Sequence, residues 1–130
     1  MPAVLWPLYQ DRPCIEIVLP RAKGSKSRLL IADTGAGNHQ SAFQLLLEEA
    51  DCLTAAGKLM GLAQLGGAYS GQFRVYSIKV QVPALQFVDS VPVVGVTQVP
   101  ANFAGIACFK FLNRFQYGNF GDRGAFGLEI

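Results

Sequence analysis

The stretch Leu29–Asn38, LLIADTGAGN, constrains this chain more than any other. Leu29, Leu30, Ile31 and Ala32 form an unbroken apolar run, the pattern of a strand covered on both faces. The run leads straight into Asp33, and a buried, unpaired carboxylate is expensive. A chain needing only a stable core would not carry an acid there. The whole chain has 130 residues, enough for a single domain over 1–130 and too few for two ordinary cores. Apolar residues make up 51% of it and charged residues 15%, with 14 glycines and 7 prolines. Low charge with many turn formers predicts an all-β fold with minor helices.

Composition also excludes classes. The formal net charge is +2, and the loose basic group Arg21, Lys23, Lys26 and Arg28 reads as a solvated turn, so no nucleic-acid partner is expected. No apolar run reaches the ~18 residues of a membrane span. The start, MPAVLWPLYQDRP, has no basic leader and its apolar run is broken by Pro7, unlike a secretory signal. Cys14, Cys52 and Cys108 are odd in number and far apart, which fits reduced, inert thiols, and the expected location is cytoplasmic.

Along the chain, Cys14–Pro20 reads as a strand and Ser27–Asp33 as its hairpin partner across the basic turn RAKGSK. Ser41–Leu53 takes a helical period through Phe43, Leu46, Leu47, Ala50 and Leu53, with Ser41 as N-cap and Gly57 as stop. Gly61, Gly66, Gly67 and Gly71 mark a mobile hairpin leading into a strand over Phe73–Val82. Leu85–Val96 reads as a strand pair interrupted at Pro92, and Ile106–Phe115 as a helix with Phe109, Leu112 and Phe115 on one face. The tail has glycines at 118, 121, 124 and 127 before a short last strand.

Three segments together resemble the retropepsin-like aspartic proteases, single-domain relatives of pepsin. LLIADTGAG is similar to their catalytic strand and turn, and LMGLAQLGGAYSGQFRVY to their flap. ANFAGIACFKFLNRF is similar to the apolar segment and short helix that pack beneath the catalytic loop. The resemblance runs from about residue 14 to residue 130. It implies a closed β-domain that forms half of a pepsin-type site, with a flap and a short C-terminal helix. It implies catalysis by Asp33, with Thr34 and Gly35 building the loop, and substrate binding by Ala36, Gly37, Asn38, Gly66, Gly67 and Tyr69. Neither cofactor nor metal is implied, and the substrate would be a peptide or protein.

Chemistry then dictates a homodimer. Hydrolysis by this route uses one carboxylate to take a proton from water and a second, protonated one to polarise the carbonyl. The chain has one Asp-Thr-Gly. Asp11, Asp51, Asp89 and Asp122 lack its flanking pattern, so the second acid must come from another copy across a two-fold axis. The chain departs from the family pattern in two places. Gly37 and Asn38 stand where an acidic residue often follows the Ala. Downstream, either Ala107 replaces an Asp or Asn after Gly105, or Cys108 replaces a glycine, depending on register. Two other readings stand beside the peptidase: a dimeric binding or assembly module without activity, and a dimeric hydrolase of a non-peptide substrate. His39, the single histidine, reads as a polar residue leaving the turn. Ser70 lacks the G-x-S-x-G of a serine hydrolase. Trp6, with Pro7 and Tyr9, suits an interface or the core.

Overall fold

The computed structural model describes residues 3–21 and 24–130. The elements in chain order are β1 (Ala3–Pro7), β2 (Cys14–Arg21), β3 (Gly24–Ala32), β4 (Leu45–Glu48), α1 (Glu49–Thr54), β5 (Lys58–Leu65), β6 (Gly71–Val82), β7 (Phe87–Val96), β8 (Gly105–Ala107), α2 (Phe109–Leu112), β9 (Gln116–Gly118) and β10 (Ala125–Glu129). Strands take 55% of the chain and helices 10%, so the expectation of a β fold with minor helices holds.

Seven strands pair in the order β2-β3-β8-β4-β7-β6-β5, and β2 also meets β6 at Val18 and Gln81. Six of them thus close into a barrel, while β5 hangs from β6 as the outer strand of a hairpin. A second sheet, β1-β10-β9, joins the first described strand to the last. The expected hairpin of β2 and β3 is present, paired from Cys14 with Ile31 to Arg21 with Gly24. Its tip, with Lys23, lies outside the described residues.

The barrel core takes alternate residues: Ile15, Ile17 and Leu19 from β2, Ile78, Val80 and Val82 from β6, Val91 and Val93 from β7. Burying each such side chain contributes about 1.5–3 kcal/mol. A smaller cluster on the opposite face holds Leu46, Ala63, Val75, Val94 and Val96, with Phe43, Leu65, Tyr69 and Ile106 packed against it. Strands between the two clusters are apolar on both faces.

That double burial explains where the elements depart from expectation. Leu45, Leu46 and Leu47 are all buried and form β4; the helix is only Glu49–Thr54, and Leu53 on it is 61% exposed. A run of apolar residues met two cores rather than one helical face. Ser41 therefore caps no helix, whereas Gly57 does close α1, donating its N–H to the Cys52 carbonyl. Phe87–Val96 is one strand, not two. The Pro92 carbonyl accepts from the Gln44 N–H, so Pro92 faces β4 at the start of their pairing, and β6 loses no donor. Ile106 and Ala107 belong to β8, and α2 is a single turn in which Phe111 and Leu112 are buried. Trp6 packs against the main core, and Tyr9 stands edge-on to Phe103 at 5.6 Å.

The basic turn is also less solvated than its composition suggests. Arg28 donates from Nε and Nη2 to both carboxylate oxygens of Asp51, at 2.8 and 2.6 Å, and Arg21 lies 3.8 Å away. Asp51 is 9% exposed, so this fork anchors α1 to the barrel wall. Among the described residues no helix is long and apolar enough to cross a membrane.

Candidate active site

The site begins with two parallel strands in register. Leu30, Ile31 and Ala32 of β3 pair with Gly105, Ile106 and Ala107 of β8. The residues that follow each strand, Asp33 and Cys108, consequently emerge side by side. The Asp33 N–H donates to the Ala107 carbonyl at 3.0 Å, and the turn closes with Ala36 N–H on the Asp33 carbonyl at 3.2 Å. Asp33 Oδ1 accepts from the Gly35 N–H at 2.9 Å. A carboxylate holding its own turn in this way is an ordinary Asx arrangement. The contacts beneath it are more particular. Phe109, first residue of α2, donates to the Ala36 carbonyl at 2.9 Å, and Cys108 donates to the Gln44 carbonyl at 3.0 Å. The Lys110 ammonium donates to the Ser41 carbonyl at 2.9 Å. One helical turn thus clamps the loop from Ala36 to Gln44.

Gly105 makes this crossing possible. A Cβ there would fall on the Leu46 carbonyl oxygen of β4, well inside the 3.0 Å that real Cβ atoms keep. Of the two registers considered for the downstream segment, Gly105 is therefore a packing glycine within β8. Cys108 is the residue set beside the Asp33 turn.

The turn and the β5–β6 hairpin enclose a cleft of about 840 Å³. Asp33, Ala36, Gly37 and Cys108 line it from the turn, and Phe43, Leu46, Pro100 and Ile106 from the wall. Ala63, Leu65, Gly66 and Tyr69 line it from the hairpin, whose tip spans residues 66–70. Gly67 takes φ +63° there, a conformation that a side chain would strain.

Of the residues expected at the site, Asp33, Ala36, Gly37, Gly66 and Tyr69 line the cleft. Thr34, Gly35, Asn38 and Gly67 do not. Gly35 serves the turn, and Asn38 closes the next one with Ser41, its N–H donating to the Ser41 hydroxyl at 2.9 Å. Thr34 and His39 are exposed, and the Thr34 hydroxyl makes no hydrogen bond among the described residues. Asp33 itself is exposed in the single chain, so it bears no burial cost there. Sequence reasoning missed the apolar wall of Phe43, Leu46, Pro100 and Ile106. The one signal for it was the apolar character of those residues.

Two cleft-lining groups are tuned by burial. Desolvation, with the nearby Asp33 charge, pushes the Cys108 thiol up to about 12. Burial and the proximity of Cys108 raise the Tyr69 hydroxyl as well. Both stay neutral and contribute no competing nucleophile. Among the described residues no three His, Cys, Asp or Glu side chains group to hold a metal ion.

A scan against protein-family models finds no match to this chain, and a search of curated proteins finds none either. The site has to be read from its own geometry. It offers one solvated carboxylate on the floor of an apolar cleft beneath a glycine-tipped hairpin, which is half of what acid–base hydrolysis by two carboxyls requires.

Proposed function

We propose that this chain is one subunit of a hydrolase that works with a pair of carboxylic acids. More particularly, we propose a homodimeric aspartic endopeptidase of retropepsin type, with no cofactor or metal. Asp33 from each of two copies meets on a two-fold axis. Two carboxyls within hydrogen-bond distance cannot both ionise, so they share one proton. The ionised acid takes a proton from a water, which attacks the peptide carbonyl. The protonated acid donates its hydrogen bond to the carbonyl oxygen as charge develops there.

One observation carries the reading: parallel pairing of β3 with β8 delivers Asp33 to the floor of the cleft, opposite a hairpin whose Tyr69 lines the same space. An extended apolar peptide segment suits a cleft of these dimensions and lining. The hairpin serves as a lid that opens through residues 66–70. The exposed Thr34 hydroxyl is available to the second copy. Three unpaired, buried cysteines support work in a reducing compartment, the cytoplasm.

The test is hydrolysis of a degenerate peptide library between pH 4 and pH 7, read by mass spectrometry, with and without a statine-type inhibitor. The inhibitor's hydroxyl would sit between the two acids and mimic the tetrahedral state. Internal cleavage, blocked by the inhibitor and absent in Asp33→Asn, supports the proposal. A second reading, a dimeric binding module, draws on the plain Asx geometry at Asp33 and on Cys108 beside it. It gains if no peptide is cut and Asp33→Asn leaves the cellular role intact.

A further inference from the structure

Beside the cleft lies one buried amide that the reaction does not use, and its partner adds a residue to the site, an inference that rests on the peptidase reading above. Residues 36–44 supply Ala36, Gly37, Ser41, Ala42 and Phe43 to the cleft. No strand pairing holds this stretch, which runs from the Asp33 turn to the start of β4. Its last residue, Gln44, is polar and yet only 7% exposed. Asp51, buried to a similar degree, is held by Arg28. Gln44 has an arginine of its own.

Arg114 lies two residues beyond α2. Its Nε donates to Gln44 Oε1 at 2.6 Å, and its Nη1 donates to Asp89 Oδ2 at 2.9 Å. The guanidinium also lies over the Phe87 ring, 5.7 Å from its centroid, and that ring stands edge-on to Phe111 and Phe115. Carboxylate and ring fix the guanidinium, and the guanidinium fixes the amide. The Gln44 main chain is held on both sides as well: its N–H donates to the Pro92 carbonyl, and its carbonyl accepts from the Cys108 N–H. Gln44 thus stands between two cleft-lining residues, Phe43 next to it in sequence and Cys108 across a hydrogen bond.

We infer that Arg114 is a positioning residue: it does not line the cleft, and through the Gln44 amide it holds Phe43 and Cys108 in place along it. Without the guanidinium, Gln44 Oε1 has no donor among the described residues, and a buried acceptor in that state turns toward water. Such a turn drags Phe43 with it, so the apolar wall shifts and substrate binding weakens. Asp33 keeps its own turn through the Gly35 N–H, so the chemical step is spared. The loss therefore falls on KM rather than kcat, by about tenfold for one buried hydrogen bond to a charged donor.

The experiment measures kcat and KM for the best-cut member of a degenerate peptide library, per active site titrated with the statine-type inhibitor. Arg114→Met should raise KM about tenfold and leave kcat per site within about twofold. Arg114→Met/Gln44→Met removes the stranded oxygen together with its donor, and should bring KM back to within about threefold of native. Arg114→Lys keeps a charged donor and should raise KM about threefold, which reads the same contact if the methionine variant folds poorly. A KM that stays native in Arg114→Met and Arg114→Lys, or that the double variant fails to restore, overturns the inference and leaves the peptidase reading in place. Fewer titrated sites with KM unchanged, the mark of lost stability alone, overturns it too. A native protein that cuts no peptide overturns both.

Discussion

Replacing Gly105 by alanine tests whether the β4–β8 crossing sets the site. A Cβ at this position falls on the Leu46 carbonyl oxygen and lies 3.0 Å from Leu47 Cδ2. Neither neighbour can retreat cheaply, because Leu46 pairs with Ile106 and Leu47 with Gly105 itself. The contact has to be relieved by more than 1 Å of backbone shift, on the order of what disrupts a ladder hydrogen bond. Overpacking plus that lost bonding costs about 3 kcal/mol. For a domain of this size the cost lowers the urea midpoint by about 2 M and the melting temperature by about 10 °C. Gly66→Ala is the control, since a Cβ there meets nothing within 4 Å. It should leave both quantities unchanged within about 0.5 kcal/mol. Urea unfolding followed by Trp6 fluorescence reads both variants. A Gly105→Ala midpoint within about 0.3 M of the native value would refute the reasoning, because the crossing would then tolerate a side chain.

Two further outcomes follow from named contacts. Arg28→Met takes both hydrogen bonds from the largely buried Asp51 carboxylate and leaves it only Arg21 at 3.8 Å, which should destabilise the fold by about 2 kcal/mol, whereas Arg28→Lys recovers part of that loss; equal stability of all three proteins in urea would contradict the role of the fork. Cys52 and Cys108 are both pushed up to about 12 from an ordinary 9.0 by burial first, with neighbouring carboxylates adding to it. Between pH 9 and pH 12 the unfolded chain therefore sheds thiol protons that the folded chain keeps. The stability they contribute is complete below pH 9 and is lost as pH rises toward 12. A Cys52→Ala/Cys108→Ala variant should show a flatter decline in urea midpoint across pH 9–10.5, and an unchanged slope would contradict the assignment.

Much of the site was legible because its parts are local. LLIADTG carries strand, turn and acid in one run, and the glycines around residue 66 mark a hairpin by their own conformational freedom. The cleft wall was not legible. Phe43, Leu46, Pro100 and Ile106 come from three separate segments and converge only when β8 slots between β3 and β4. The same slotting turned part of each of two expected helices into strand, leaving α1 and α2 as short remnants: Leu45–Leu47 and Ile106–Ala107 have apolar spacing that suits a helical face, yet each is packed from both sides. Asp51 showed in the sequence only as an acid without the flanking pattern of Asp33, because its partner Arg28 lies 23 residues away on another element. Local patterning encodes turns and hairpins, while the order of strands around a barrel depends on pairings that no short window contains.

Subunit mixing tests the central claim most directly. Native protein is mixed with a ninefold excess of Asp33→Asn chains, allowed to exchange, and assayed for cleavage per native chain. If each site needs Asp33 from both copies, nearly every native chain is captured in a dead pair, and activity per native chain falls about tenfold. Activity that stays proportional to native protein alone would mean that one chain carries a complete site, and the shared-acid account would be wrong.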